Sequence, residues 1–282
     1  MSEALRPDLT SLLDERALVA AMLRQEAALA QAQAELGHLP KGDAQSIVNT
    51  CKVDLFDVPH IMRESLSASS RAEPAVIKHL RESVRLFNPA AAAAVYPLSH
   101  PADLLCNALA LVTHDVLTLM AADIQALHSV PAAAEVCLAW ERLQPVAERA
   151  LRLRFLPASA PTSSPVRDVQ PLAARALGLP PALSEGTENW MSLGCELGVF
   201  TLCVQRVAGQ AQAMRAPLWV AQWLTELSVH TIRPSDSGDF WRAQWPLWST
   251  LTLAAARSLH ELPCALKTSP LRTCLAPKPP TL

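Results

Sequence analysis

At 282 residues, half of them hydrophobic, the chain is long enough to bury a substantial core as one large or two modest domains. Abundant Ala and Leu, with eight Gly and a single Tyr, favour helices over sheets. A net charge of −2 without a basic run excludes the long-range attraction to phosphate on which nucleic-acid binders depend.

The opening stretch MSEALRPDLTSLLDER carries acidic residues and no apolar core of signal-peptide length. From Asp14 to Leu36, apolar residues at 18, 22, 29, 32 and 36 predict an amphipathic helix, broken between Gly37 and Gly42. Asp43 suits an N-cap for a short helix through Cys51, and Asp57 suits another from Val58. Pro74 fits the first turn of a helix to Phe87, because proline lacks a donor that this position would leave unpaired. Asn88 to Leu98 reads as an Ala-rich loop or a frayed helical end.

The longest predicted helix runs from Pro101 to His128, with its polar positions 103, 107, 114, 118, 125 and 128 on one stripe. A helix so apolar over the rest of its surface must be surrounded by others. Asn107, His114, Asp115 and Asp123 within it argue against a membrane span. A second helix is expected over Ala132 to Arg154, then a Pro- and Ser-rich loop or linker over 157–171. A short helix from Leu172 to Leu179 follows, then helices over Glu185 to Met214, Trp219 to Thr231 and Phe240 to Leu262, and a tail expected to be disordered. Seven scattered cysteines without a C-x-x-C pair read as small buried hydrophobes in a reducing compartment. These features together predict a soluble, cytoplasmic, all-α protein.

Several patches, in order, carry a resemblance. They are VAAMLRQEAALAQAQAELGHLP (19–40), LSASSRAEPAVIKHLRESVRLFNP (66–89), the helix opening Asp103-Leu-Leu-Cys-Asn-Ala-Leu, Ala173-Ala-Arg-Ala-Leu-Gly-Leu, and FWRAQWPLWSTLTLAAARSL (240–259). The chain resembles the fumarase/aspartase superfamily, most closely its 3-carboxy-cis,cis-muconate cycloisomerase branch. The resemblance implies an all-α bundle of long helices, residues 1–98 forming an N-terminal region, 99–262 the central bundle and 263–282 a C-terminal segment and tail. It also implies a homo-oligomer, dimer or tetramer, whose active sites draw on several chains.

The departures fall in the loops that carry the chemistry. The branch places a loop of the form H-x-G-A-T-S-Q-D before its central helix, where this chain has Tyr96-Pro-Leu-Ser-His-Pro-Ala-Asp103, and only the Asp matches. No Thr-His pair stands between the long helix and Leu172, and Met214-Arg-Ala-Pro-Leu-Trp replaces the family's G-S-S-x-M-P-x-K-x-N-P loop. The family's catalytic Ser and its substrate-binding Lys and Asn therefore have no counterpart.

The reaction of such enzymes needs a base near a Cα–H and donors where charge develops on an aci-carboxylate. Ser99, His100 and Asp103 are the polar cluster left at the first loop. They fit a base or carboxylate anchor at the helix N-terminus, and they also fit a cap and a dipole-complementing acid. Arg71, Arg233 and His230 occupy places where the resemblance implies contact with substrate, and would clamp a carboxylate or else lie solvated. Trp241, Trp245 and Trp248, with Trp219 and Trp223, read as core or interface. No cluster at ligand spacing is read, so neither metal nor cofactor is expected. Three roles remain open: a binding or assembly protein without the ancestral activity, a repurposed enzyme acting on a small carboxylate, and a subunit that completes the site of a full-length relative. Neither nucleic acid nor membrane is an expected partner.

Overall fold

The structure, a computed structural model, describes residues 9–68, 72–95, 101–155, 166–182, 188–209, 220, 222 and 237–268. They form α1 (Glu15–Glu35), α2 (Lys41–Thr50), α3 (Val58–Ala68), α4 (Ala72–Phe87), α5 (Pro89–Ala92), α6 (Pro101–Leu127), α7 (Ala134–Ala150), α8 (Val166–Leu177), α9 (Glu188–Val207) and α10 (Ser237–Thr268). Among the described residues there is no β-strand, only an isolated bridge between Leu153 and Pro181. The all-α expectation therefore holds.

The central helix α6 is enclosed by α1, α4, α7 and α10, while α9 lies between α7 and α10. It is long and apolar enough to cross a membrane, but Leu104, Leu105, Leu111, Val116 and Met120 are all buried in the protein core. Burying each such side chain contributes roughly 1.5–3 kcal/mol.

Local signals explain the ends. Asp14 caps α1 by accepting from the Ala17 N–H at 2.7 Å. Gly37 stops it in the left-handed region (φ 74°), which lets the His38 N–H reach back to the Gln33 carbonyl at 2.8 Å. Asp57 accepts from the His60 N–H at 3.0 Å and opens α3.

Several expectations are corrected. Helix α1 is amphipathic as expected, with Arg16, Arg24, Gln31 and Glu35 exposed, but its buried face also takes in Gln25, Glu26 and Gln33, because α2, α6 and α8 all pack on it. Asp43 lies inside the first turn of α2 and accepts from Asn88 Nδ2 at 2.8 Å, so the helix begins earlier than its cap signal implied. Asn88 caps a real turn, α5, through the Ala91 N–H. Helix α7 ends at Ala150, and residues 151–155 run extended instead of continuing to Arg154. The Pro-rich stretch is helical from Val166, with Pro171 inside α8, so only 157–165 of the expected loop lies outside the described residues. The last helix reaches Thr268 despite Pro263. Most of the Trp219–Thr231 segment, and the tail beyond Thr268, also lie outside the described residues.

The extended segment is fastened to α6 by one side chain. Asn107, fully buried, accepts from the Arg154 N–H at 2.6 Å and donates to the Arg154 carbonyl. Asn107→Ala leaves both backbone groups without that partner. It should lower stability by roughly 2–4 kcal/mol, read from the urea midpoint at unchanged m-value.

Candidate functional site

Two helices present acidic first turns at the mouth of α6. Glu73 stands in the first turn of α4 and Asp103 in the first turn of α6, positions where a helix dipole favours a carboxylate. Both are buried, Glu73 at 1% exposure and Asp103 at 8%. Asn107 lies one turn in from Asp103, and through it the 151–155 segment is laid across the helix. Arg154, Asp103 and Glu73 all act electrostatically on the Cys106 thiol, which places the four groups in one neighbourhood.

The chemistry of this neighbourhood is restrained. Burial pushes the Cys106 thiol up to about 11; Arg154 pulls the other way, while Asp103 and Glu73 add to the rise. A thiol so held is protonated at neutral pH and a poor nucleophile. Among the described residues, two buried acids and one guanidinium thus act on this thiol.

Of the six residues singled out in sequence, only Asp103 is among the described ones; Ser99, His100, Arg71, Arg233 and His230 lie outside them. Glu73, Cys106 and Arg154 escaped the sequence reading. An acid just before Pro74 was the available signal for Glu73, whereas only the turn after α7 brings Arg154 here.

The polar stripe of α6 divides by depth. Asp103 and Asn107 are buried, His114 is half-buried, and Thr118, Gln125 and His128 are exposed. His114 and Thr118 line a groove of ≈ 460 Å³ with Trp140, Gln144, Glu148 and Arg152. A second groove of ≈ 530 Å³ lies between α7 and α9, lined by Leu138, Val199, Leu202, Arg142 and Arg206.

Trp245 and Trp248 are core residues. The Trp248 Nε1–H donates to Thr113 Oγ1 at 2.8 Å, and Trp190 meets its ring edge-on at 5.1 Å between centroids. Trp219, Trp223 and the Trp241 side chain lie outside the described residues. Burial raises the Cys195 and Cys203 thiols, in keeping with inert cysteines. The expectation that no groups stand at ligand spacing is corrected. His60 and Glu64 are four residues apart on α3, and with His79 of α4 they bring ligand-type atoms within 4.8 Å of one another.

No protein-family model matches the chain. Over 147 residues, 51% of its length, it is 34% identical to nitrosuccinate lyase of Streptomyces davaonensis; the match spans 30% of that lyase. In fold it is similar to 3-carboxy-cis,cis-muconate lactonizing enzyme from Pseudomonas putida, at a TM-score of 0.79 and 17% identity, covering 91% of this chain and 73% of that one. The beta-carboxy-cis,cis-muconate cycloisomerase of Acinetobacter calcoaceticus gives 0.74 at 19% identity, with 92% and 75% covered. A fumarate lyase from a Mesorhizobium species gives 0.72 at 16%, with 90% and 73% covered.

The raised Cys106 thiol has a pH consequence. Its folded value lies above the unfolded value of about 8.5, so the native state holds the proton more tightly and stability falls as pH climbs from about 8.5 towards 11. Cys106→Ala should flatten that part of the stability–pH curve. At pH 8, alkylation of the native protein should reach exposed Cys264 well before Cys106, as peptide mass spectrometry would show.

Proposed function

We propose that the chain is a divergent member of the fumarase/aspartase superfamily without the ancestral elimination or cycloisomerisation chemistry, acting as a binding or assembly protein. The replaced loops at 96–103 and after Met214 carry this reading, since the acid–base and donor residues of the ancestral reaction have no counterparts there.

Assembly is the natural use of the remaining surface. Leu138 and Val199 are 61% and 44% exposed on the two walls of the α7–α9 groove. An apolar pair in such a place suits association with further copies of the chain. A homo-oligomer in the cytoplasm, dimer or tetramer, fits this arrangement.

The local identity to nitrosuccinate lyase favours a second reading. A repurposed lyase or isomerase would act on a small carboxylate at the 96–103 loop. Ser99, His100 or Asp103 would serve as base or anchor, and Arg71, Arg233 or His230 as clamp.

The deciding assay follows ultraviolet absorbance of the folded protein with 3-carboxy-cis,cis-muconate, nitrosuccinate and fumarate-releasing substrates, beside His100→Ala. No turnover is the expected result; turnover that the variant loses would establish the second reading instead. In light scattering, the double variant Leu138→Glu/Val199→Glu should shift the mass towards the monomer while its helical circular dichroism is retained.

A further inference from the structure

We propose that His60, Glu64 and His79 bind one divalent transition-metal ion of the zinc class across the α3–α4 pair. The site uses none of the groups at the mouth of α6. It stands whether or not the chain catalyses a reaction.

The sequence places two of the ligands. His60 and Glu64 are separated by one helical turn, which sets their side chains on the same face of α3. Packing of α3 on α4 supplies the third, His79. His79 Nε2 and Glu64 Oε2 lie 2.8 Å apart, and the His60 and His79 rings meet edge to face with centroids at 5.6 Å. Two imidazoles and a carboxylate form a donor set suited to zinc and its neighbours, which leaves a fourth position for water.

Size and access agree with that assignment. Around a tetrahedral zinc ion, donors about 2.0–2.1 Å from the metal stand about 3.4 Å from one another. The three ligand atoms here all lie within 4.8 Å of one another, so rotamer adjustments of about 1 Å would draw them onto a common ion. Glu64 and His79 are about a quarter exposed and His60 is open to solvent, which gives an ion a path in.

Lys78 is the competitor. Its Nζ donates to Glu64 Oε1 at 2.6 Å, so in the absence of an ion the cluster is a surface ion-pair network holding α3 to α4. The Lys78 side chain is half exposed, and Glu82, one turn along α4, also attracts its ammonium. An incoming dication can therefore displace Lys78 from Glu64 without leaving it unpaired. An ion bound here would join the two helices across residues 69–71.

Titration of the full-length, chelator-treated, reduced protein with zinc chloride, followed by calorimetry, tests the proposal, with cobalt(II) as a spectroscopic probe. One equivalent should bind, with a cobalt spectrum that lacks thiolate charge transfer. His60→Ala and His79→Ala should each weaken binding by roughly 100-fold, since even the loss of a residue that only supports a ligand costs about 10–100-fold. Lys78→Met should tighten it, a result that a purely structural ion-pair network would not give. Binding unchanged in both histidine variants, a thiolate band in the cobalt spectrum, or no binding in a protein with native circular dichroism would overturn the site.

Discussion

Enclosing α6 is the constraint on which the other elements depend. Twenty-seven residues with so few charges cannot face water on any large part of their surface, so α1, α4, α7 and α10 are drawn round them. The same enclosure accounts for the oddity of α1. A helix packed on several sides has to bury Gln25, Glu26 and Gln33 along with its leucines. It also explains why the polar residues at the start of α6 are the ones that matter. Asp103 and Asn107 are deep because the helix that carries them is deep, and each must answer to its surroundings.

The mouth of α6 shows how one frame changes its chemistry. A helix N-terminus is a ready site for an anion, and in this chain two side-chain carboxylates from the protein itself stand there. Arg154 arrives from the turn after α7, positioned by a backbone clamp on Asn107. The mouth is in this sense filled by the protein's own charges.

The frame was readable where a local signal and the hydrophobic pattern agreed. The cap at Asp57, the stop at Gly37 and the apolar run of α6 each fixed an element. Reading failed where tertiary contact overrode local chemistry. Pro171 is tolerated inside α8, although a Pro-rich stretch reads as loop, because that helix is docked on α1. The end of α7 shifted because Leu153 found partners on Pro180 and Ala182 that no local pattern announces. The candidate site was legible only as far as Asp103, since Glu73 and Arg154 reach it from segments 30 and more residues away. His60 and Glu64 were legible as a helical pair, but nothing in the spacing of α3 points to His79.

The bridge between Leu153 and Pro181 has a consequence for how the chain tolerates change in length. The Leu153 N–H donates to the Pro180 carbonyl at 2.9 Å, and the Ala182 N–H donates to the Leu153 carbonyl at 2.7 Å. Residues 154–180 are thus a loop tied at its base by this bridge, with α8 inside it docked on α1. For a loop already closed at its base, doubling the length adds only about 0.6 kcal/mol of closure entropy. Insertions between Phe155 and Val166 would on this ground cost little, because both ends of the stretch are already held, Phe155 in the core and α8 against α1.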